Sequence, residues 1–163
     1  MLTIHGWTLL AHPLFLDQLE NLTEAVEALK EKKPDAYQKD ANTKLLATLN
    51  RLVFESIPAD PTASLYRQGS ALSADYRHWF RAKFGNGRFR LFFRYDSRAR
   101  VIIFAWVHDQ TTLRTYGART DAYRVFQGML DGGNPPDDWA TLYRVVSEAR
   151  TVERFDRALP EQP

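Results

Sequence analysis

The centre of the sequence contains cationic side chains of the type and density that bind a phosphodiester. Residues 61–127 include 12 Lys or Arg against 4 Asp or Glu, a net charge of +8, and 11 of the 12 cations are arginine. The flanking segments, 1–60 and 128–163, each carry a net charge of −3. Arginine presents a planar fork of donors that fits a phosphate group. The pattern therefore favours a polyanion site, and the alternative is a solvated sheet face with acidic partners elsewhere in the fold.

Alternation along two predicted strands places several of these cations on one face of a sheet. The strands meet at Asn86-Gly87, a dipeptide typical of a tight hairpin with a primed turn. In that register Lys83 faces Arg90 and Arg81 faces Phe92. Like charges directly opposite each other destabilise a sheet, so the arrangement favours an anion bound among them. A wet face with screened or paired cations is the other interpretation.

Such a face has the groups that RNA strand cleavage requires. The reaction needs deprotonation of a 2′-hydroxyl, stabilisation of a dianionic phosphorane and protonation of the 5′-oxygen. Fixed cations meet the second demand, and a lysine, a tyrosine or His108 could transfer the protons. Exposed aromatic rings would stack unpaired bases. The same residues equally suit a non-catalytic RNA-binding face, and alternation along its strand also allows His108 to be a buried structural histidine.

The periodicities that position these residues predict an α+β domain. The order is a short strand, two helices, an antiparallel meander of three strands and a further helix. Together they predict an antiparallel sheet, the N-terminal strand plus the meander, packed with an N-terminal helical hairpin and a C-terminal helix. The predicted segments are a strand at 6–12, a helix from Pro13 to about Lys30, a second helix that runs to about Phe54 after a break at Lys32–Pro34, strands His78–Phe84, Arg88–Tyr95 and Arg100–Val107, and a helix from about Thr120.

Length and composition exclude several classes of protein. The 163 residues suit a single domain, and no apolar run approaches the ~18 residues of a membrane span. The absence of cysteine excludes a disulfide framework and a cysteine nucleophile. The four histidines lack metal-ligand spacing, and neither a phosphate-binding glycine loop nor a serine-nucleophile motif is present. We expect a cytoplasmic protein that uses no metal and no cofactor.

Several segments of the sequence closely resemble the YhaV family of toxins. The resemblance covers the chain from about Gly6 to Leu142, and the paired strands with the Leu-Arg-Thr-Tyr-Gly run make it specific. It gives the boundaries of a single toxin domain at 1–145 and a C-terminal tail at 146–163. The matching segments are Gly6–Trp7, Ala11–Pro13, Thr43–Ala47, Trp79–Tyr95, Val101–Ile103, Thr112–Gly117, Thr120–Tyr123 and Pro135–Trp139.

The resemblance implies the toxin half of a type II toxin–antitoxin pair with a RelE-like fold. It implies a metal-independent endoribonuclease that cleaves messenger RNA in connection with translation and inhibits growth. The implied partner is a PrlF-type antitoxin with an AbrB-like DNA-binding domain, and the two together would repress their own operon. A non-catalytic RNA- or DNA-binding regulator that uses the same arginine-rich face is the alternative, and an interaction module for an acidic partner segment is a third.

The resemblance also assigns roles to individual residues. Arg81 is expected to be the main transition-state cation, and Lys83 the base or a second cation, with His108 as its competitor. The matching arginine of the second strand is Arg88 or Arg90. The tyrosine is either Tyr116 or Tyr123. The full set of expected catalytic residues is Arg81, Lys83, Arg88, Arg114, Tyr116 and His108, and the expected RNA-binding residues are Arg90, Arg94, Trp79, Arg119 and Tyr123.

Overall fold

The structure, a computed structural model, describes residues 1–110, 112 and 121–160. Within these described residues, five strands and five helices of at least two turns follow one another in the order ββααβββααα, and short 3₁₀ turns connect some of them. The elements are β1 (Leu2–Ile4), β2 (Trp7–Ala11), α1 (Pro13–Lys32), α2 (Ala41–Arg51), β3 (Phe80–Phe84), β4 (Phe89–Asp96), β5 (Val101–His108), α3 (Ala122–Asp131), α4 (Trp139–Val146) and α5 (Ala149–Arg157). The predicted α+β class is confirmed, and the arrangement is consistent with a RelE-like fold.

The predicted helical hairpin is present, and local capping explains where its helices begin. His12 accepts a hydrogen bond from the Leu14 amide at 3.1 Å, and Pro13 occupies the first turn of α1. Asp40 caps α2 in the same way through the Asn42 amide, at 2.8 Å. Beyond Arg51 the chain continues through a π-helical stretch, Leu52–Ser56, and one further helical turn, Ile57–Ala59.

The sheet has the strand order β1-β2-β5-β4-β3, and one of its pairings differs from the prediction. The strands β3, β4 and β5 form the expected antiparallel meander. The N-terminal strand β2, however, pairs with β5 in parallel, so the sheet is mixed and not antiparallel throughout. The helical hairpin explains this, because it carries the chain across one face of the sheet before the meander begins. β1, which alternation did not predict, forms a hairpin with β2 through His5 and Gly6, both at positive φ.

A β-bulge between β4 and β5 changes which residues share a face. Phe92 lies opposite Trp106, but the next residue, Phe93, lies opposite Phe104. Trp106 and His108 therefore share the face of Phe92, and Phe104 packs on the other side of the sheet. Strict alternation predicts that His108 shares a face with Phe104, which is wrong because the extra residue at the bulge reverses the alternation.

Two hydrophobic cores cover the two faces of the sheet. The larger core lies under α1 and α2, and the smaller one lies under α3 and α4. The segment 146–163 contains α5, whose Phe155 is 1% exposed within the larger core. Arg154 of the same helix forms ion pairs with Asp17 and Glu20 of α1, each at 2.7 Å. None of the helices within the described ranges combines the length and the apolar character of a membrane span.

Candidate active site

The β3–β4 hairpin has the register that the sequence predicts. Lys83 lies opposite Arg90, and Arg81 lies opposite Phe92. Lys83 is exposed, whereas Arg81 and Arg90 are half-buried. Three cations from two neighbouring strands are therefore held on one face, close to the end of the sheet where the hairpin turns.

The turn itself depends on residues that tolerate positive φ. Asn86 and Gly87, at φ 59° and 80°, form the predicted primed turn. Gly85 precedes them at φ 61°, and a Cβ atom there would lie 2.4 Å from the Phe89 ring. Only glycine fits this position, because the ring closes directly over the backbone. The turn thus fixes the pairing that brings the cations together.

Helix α3 adds a phenol to the cations. Asp121 caps the helix by accepting a hydrogen bond from the Tyr123 amide at 2.9 Å. The Tyr123 hydroxyl oxygen accepts hydrogen bonds from Nε of Arg81 at 2.9 Å and from Nε of Arg90 at 3.3 Å. Its ring packs edge-on against Phe92, with 5.9 Å between the ring centroids. We call Arg81, Arg90 and Tyr123 the cation–phenol cluster.

The two guanidinium groups make the Tyr123 phenol more acidic. Burial alone raises the pKa of a phenol, but the hydrogen bonds from Arg90 and Arg81, together with their charges, outweigh that effect. The pKa of Tyr123 therefore lies below its ordinary value. A phenol in this state transfers its proton more readily than a free tyrosine, because its phenolate is stabilised as it forms.

Backbone carbonyls hold both arginines of the cluster in place. Nη1 of Arg81 donates to the Leu65 carbonyl at 2.8 Å. Nη1 of Arg90 donates to the carbonyls of Gly87 and Phe89. The ion pairs formed within the described residues do not involve Arg81, Arg90 or Lys83. The positive charge of this face is thus positioned in advance and is not neutralised by those ion pairs.

His108 lies next to the cluster but inside the protein. It is opposite Arg90 across β4 and β5, and it is 2% exposed. Its ring contacts Trp106 edge-on, at 5.9 Å between centroids, and neither ring nitrogen has a hydrogen-bond partner among the residues described. Burial lowers the pKa of His108, and the Arg90 charge lowers it further while Asp109 opposes the shift. The imidazole is therefore held towards its neutral form.

Arg88 lies at the hairpin turn and not within the cluster. It is exposed, and its Nε donates to the Gly85 carbonyl at 3.4 Å. The guanidinium lies over the Phe89 ring, 4.9 Å from the ring centroid. Three further candidates, Arg114, Tyr116 and Arg119, lie outside the described residues. Tyr123 is the one of the two alternative tyrosines that the structure describes.

Two residues predicted to bind RNA are instead built into the fold. Trp79 precedes β3, is 0% exposed, and donates from Nε1 to the Asp137 carboxylate at 2.8 Å. The Arg94 side chain is only 12% exposed, and it lies between the rings of Trp79 and Trp139, at 5.4 and 4.9 Å from their centroids. Burial lowers the pKa of Arg94. An incoming base does not reach either side chain in this packing, because α3 and the segment around Asp137 cover them.

We expect the replacement Arg94→Met to affect stability and leave cleavage per folded molecule unchanged. The variant loses two cation–π contacts and a hydrogen bond to the Asp137 carbonyl, a loss of about 1–3 kcal/mol in the free energy of unfolding. Chemical denaturation and a cleavage assay on the same preparation measure the two effects. A specific activity that fell with stability unchanged would place Arg94 at the RNA.

The cation–phenol cluster presents fixed cations and an acidified phenol on one face of the sheet, and comparison with known proteins identifies the class of the protein. Residues 9–147 match the model of a family described as a toxin with endonuclease activity, of a toxin–antitoxin system. The chain belongs to this family, the YhaV toxins. It is therefore a toxin with endonuclease activity that has an antitoxin partner. No solved structure gives a significant match to the chain.

Curated relatives are similar over nearly the whole chain. The chain is 48% identical over 146 residues to the ribonuclease toxin YhaV of Escherichia coli K12, covering 89% of this chain and 95% of that protein. Toxin YhaV of E. coli O157:H7 gives the same values. Toxin YhaV of E. coli O6:H1 is 47% identical over 147 residues, covering 90% of this chain and 96% of that protein.

Proposed function

We propose that this toxin is a metal-independent endoribonuclease that uses the 2′-hydroxyl of RNA as the nucleophile. The observation that carries the proposal is the cation–phenol cluster, in which two pre-positioned guanidinium groups flank an acidified phenol. The relative from E. coli K12 is named a ribonuclease toxin, which supports RNA as the substrate. Such a reaction requires fixed cations that stabilise the phosphorane and side chains that transfer protons.

We assign one role in the proposed reaction to each of the site residues named below. Lys83 accepts the proton of the 2′-hydroxyl, whose oxygen then bonds to the adjacent phosphorus. Arg81 and Arg90 stabilise the dianionic phosphorane. The bond from phosphorus to the 5′-oxygen then breaks, and that oxygen takes the Tyr123 proton. The products are a 2′,3′-cyclic phosphate and a 5′-hydroxyl. Arg88 holds the backbone beside the turn, and Arg114, Tyr116 and Arg119 stay proposals for the leaving-group side and for RNA binding.

The base is assigned to Lys83 because it is exposed on the same face, whereas His108 is buried. We therefore expect Lys83→Ala to lower the cleavage rate by about 10²- to 10⁴-fold, the usual contribution of a positioned acid or base. His108→Asn should keep most of the activity. Single-turnover rates on one RNA measure both, with thermal melting as the folding control. The opposite ranking of the two variants would transfer the role to His108.

The cellular setting of this activity is also part of the proposal. The substrate would be messenger RNA, cleaved in connection with translation in the cytoplasm, which arrests growth. The antitoxin would be of the PrlF type with an AbrB-like DNA-binding domain, and the complex would repress its own operon. The net charge of +8 over residues 61–127 supports both an RNA substrate and an acidic partner segment. The alternative, a regulator without catalysis, has less support because the family is described as having endonuclease activity.

End-group chemistry tests the reaction. Purified toxin is incubated with a synthetic RNA in the presence of excess EDTA, and the products are analysed for their termini. We expect undiminished cleavage with 2′,3′-cyclic phosphate and 5′-hydroxyl ends, because every proposed step is performed by side chains. Cleavage that required magnesium, or that produced 3′-hydroxyl ends, would contradict the mechanism.

A further inference from the structure

An open groove of about 350 Å³ lies between α2 and the β3–β4 hairpin. Phe84 and Phe89 form apolar walls, together with Leu45 of α2. The two rings pack against each other, with 5.5 Å between their centroids. The volume falls in the range of pockets that bind small organic groups. Of the described groups assigned to the cleavage reaction above, only Arg88 lines the groove.

The polar groups of the groove suit a nucleobase. The amide side chains of Asn42 and Gln110, both exposed, line it, and such amides hydrogen-bond to the edges of bases. Lys44 and Arg88 add two positive charges, and the described lining residues include no carboxylate. Aromatic rings and guanidinium planes are the surfaces on which proteins stack unpaired bases. The cations complement the phosphates that accompany a base.

The groove is continuous with the cation face through the hairpin. The pair Phe84–Phe89 directly follows the pair Lys83–Arg90 in the register, so the two sites are one step apart along the strands. Side chains of successive pairs point to opposite faces, and Arg88 lies at the turn where the two faces meet. An RNA strand whose phosphate lies on the cation face can therefore pass over the turn and place a neighbouring base in the groove.

We propose that this groove is a subsite for one unpaired nucleobase of the RNA substrate, next to the cleaved phosphate. The inference rests on the proposed ribonuclease function and extends it to substrate selection. Phe84 and Phe89 are 6% and 5% exposed, so they form the apolar wall beside the base, and the base stacks on the exposed guanidinium of Arg88. Asn42 and Gln110 contact its edge, and Lys44 neutralises the adjoining phosphate. The occupied groove gives the enzyme a preference for particular bases at this position.

The test combines a groove-filling variant with removal of single bases from the RNA. Thr48 lines the groove, whereas its exposed neighbour Ala47 does not, so Thr48→Trp fills the groove and Ala47→Trp is a control of equal bulk. A short RNA with one cleavage site is prepared intact and with an abasic residue at each position flanking that site. Single-turnover rates are measured for the wild type and both variants.

We expect one abasic position to slow the wild type and Ala47→Trp by about 5- to 150-fold, the range for one stacked base. Thr48→Trp should cleave intact RNA at that slower rate and show no further loss on the abasic RNA. A Thr48→Trp enzyme with the same sensitivity to base removal as the wild type would overturn the proposal. A variant that cleaves normally but escapes neutralisation by the antitoxin would also overturn it, because the groove would then belong to that protein. If Thr48→Trp fails to fold, Asn42→Trp at the exposed rim must give the same pattern.

Failure of the ribonuclease proposal gives a different result. In that case the wild-type protein itself produces no 2′,3′-cyclic phosphate ends on the intact RNA. If only the subsite proposal is wrong, the wild type still produces 2′,3′-cyclic phosphate ends, and only the expected response of the cleavage rates to base removal is absent.

Discussion

Replacing Arg81 with alanine is expected to lower the rate of RNA cleavage by about 10²- to 10³-fold, the usual loss when one transition-state donor is removed. Arg81 donates to both Tyr123 and the Leu65 carbonyl, so its guanidinium is fixed before RNA arrives. Removing it takes away a phosphate cation and one of the two donors that make Tyr123 acidic. Growth arrest on induced expression should disappear with the activity.

Two further variants serve as controls for this measurement: replacement of a different exposed arginine, and a conservative replacement of Arg81. Arg98, exposed in the β4–β5 turn at the other end of β4, serves as the control, and Arg98→Ala should cleave like the wild type. Arg81→Lys keeps the charge but loses the fork that bonds two partners at once, so an intermediate rate is expected. Equal activity of Arg81→Ala and Arg98→Ala would remove Arg81 from the site.

The second large effect is expected from Tyr123→Phe, which removes one hydroxyl and keeps the ring against Phe92. Loss of a positioned proton donor lowers the rate by about 10²- to 10⁴-fold. Folding should be little changed, because the packing of the ring is retained. Single-turnover cleavage and thermal melting together separate catalysis from stability. A variant with normal activity would show that another group protonates the leaving oxygen.

The pH dependence of cleavage tests independently whether Tyr123 acts as the general acid. A general acid works in its protonated form, so wild-type activity should fall as the pH rises through the Tyr123 pKa. Because the arginines hold that pKa below its ordinary value, the fall begins at a lower pH than for a free tyrosine. Arg90→Ala removes one donor to the phenolate and should move the alkaline limb to higher pH. An alkaline limb that Arg90→Ala leaves in place would contradict the assignment of the acid to Tyr123.

Local signals predicted the part of the site that lies on the hairpin. Asn86-Gly87 specified the turn, and the turn fixed the pairing of Lys83 with Arg90, because a two-residue loop leaves one register. The helical hairpin likewise followed from periodicity, with Pro13 marking its beginning. At the Asn86-Gly87 turn and in the helical hairpin, neighbouring residues in the sequence are enough to predict the local structure.

Contacts between distant segments could not be derived in the same way. Asp137 accepts a hydrogen bond from Trp79, and the burial of Trp79 and Arg94 depends on residues that follow α3 in the chain. The bulge that places His108 opposite Arg90 could not be predicted, because the residues of β5 are apolar on both faces and show no change in alternation. Arg81 donates to the backbone carbonyl of Leu65. Every residue has such a carbonyl, so the sequence does not indicate which one the arginine contacts. Tyr123 was a candidate, but its contact with two arginines required the packing of α3.

In the proposed mechanism the 2′-oxygen of RNA is the nucleophile, and protein side chains transfer the protons. The most direct test is cleavage, in the presence of EDTA, of a synthetic RNA that carries a single 2′-deoxy substitution at the cleaved nucleotide. We expect this RNA to stay intact at that position, while the all-ribose RNA is cut to a 2′,3′-cyclic phosphate and a 5′-hydroxyl. Cleavage of the substituted RNA at the same bond would show that water attacks the phosphorus, and would contradict the mechanism.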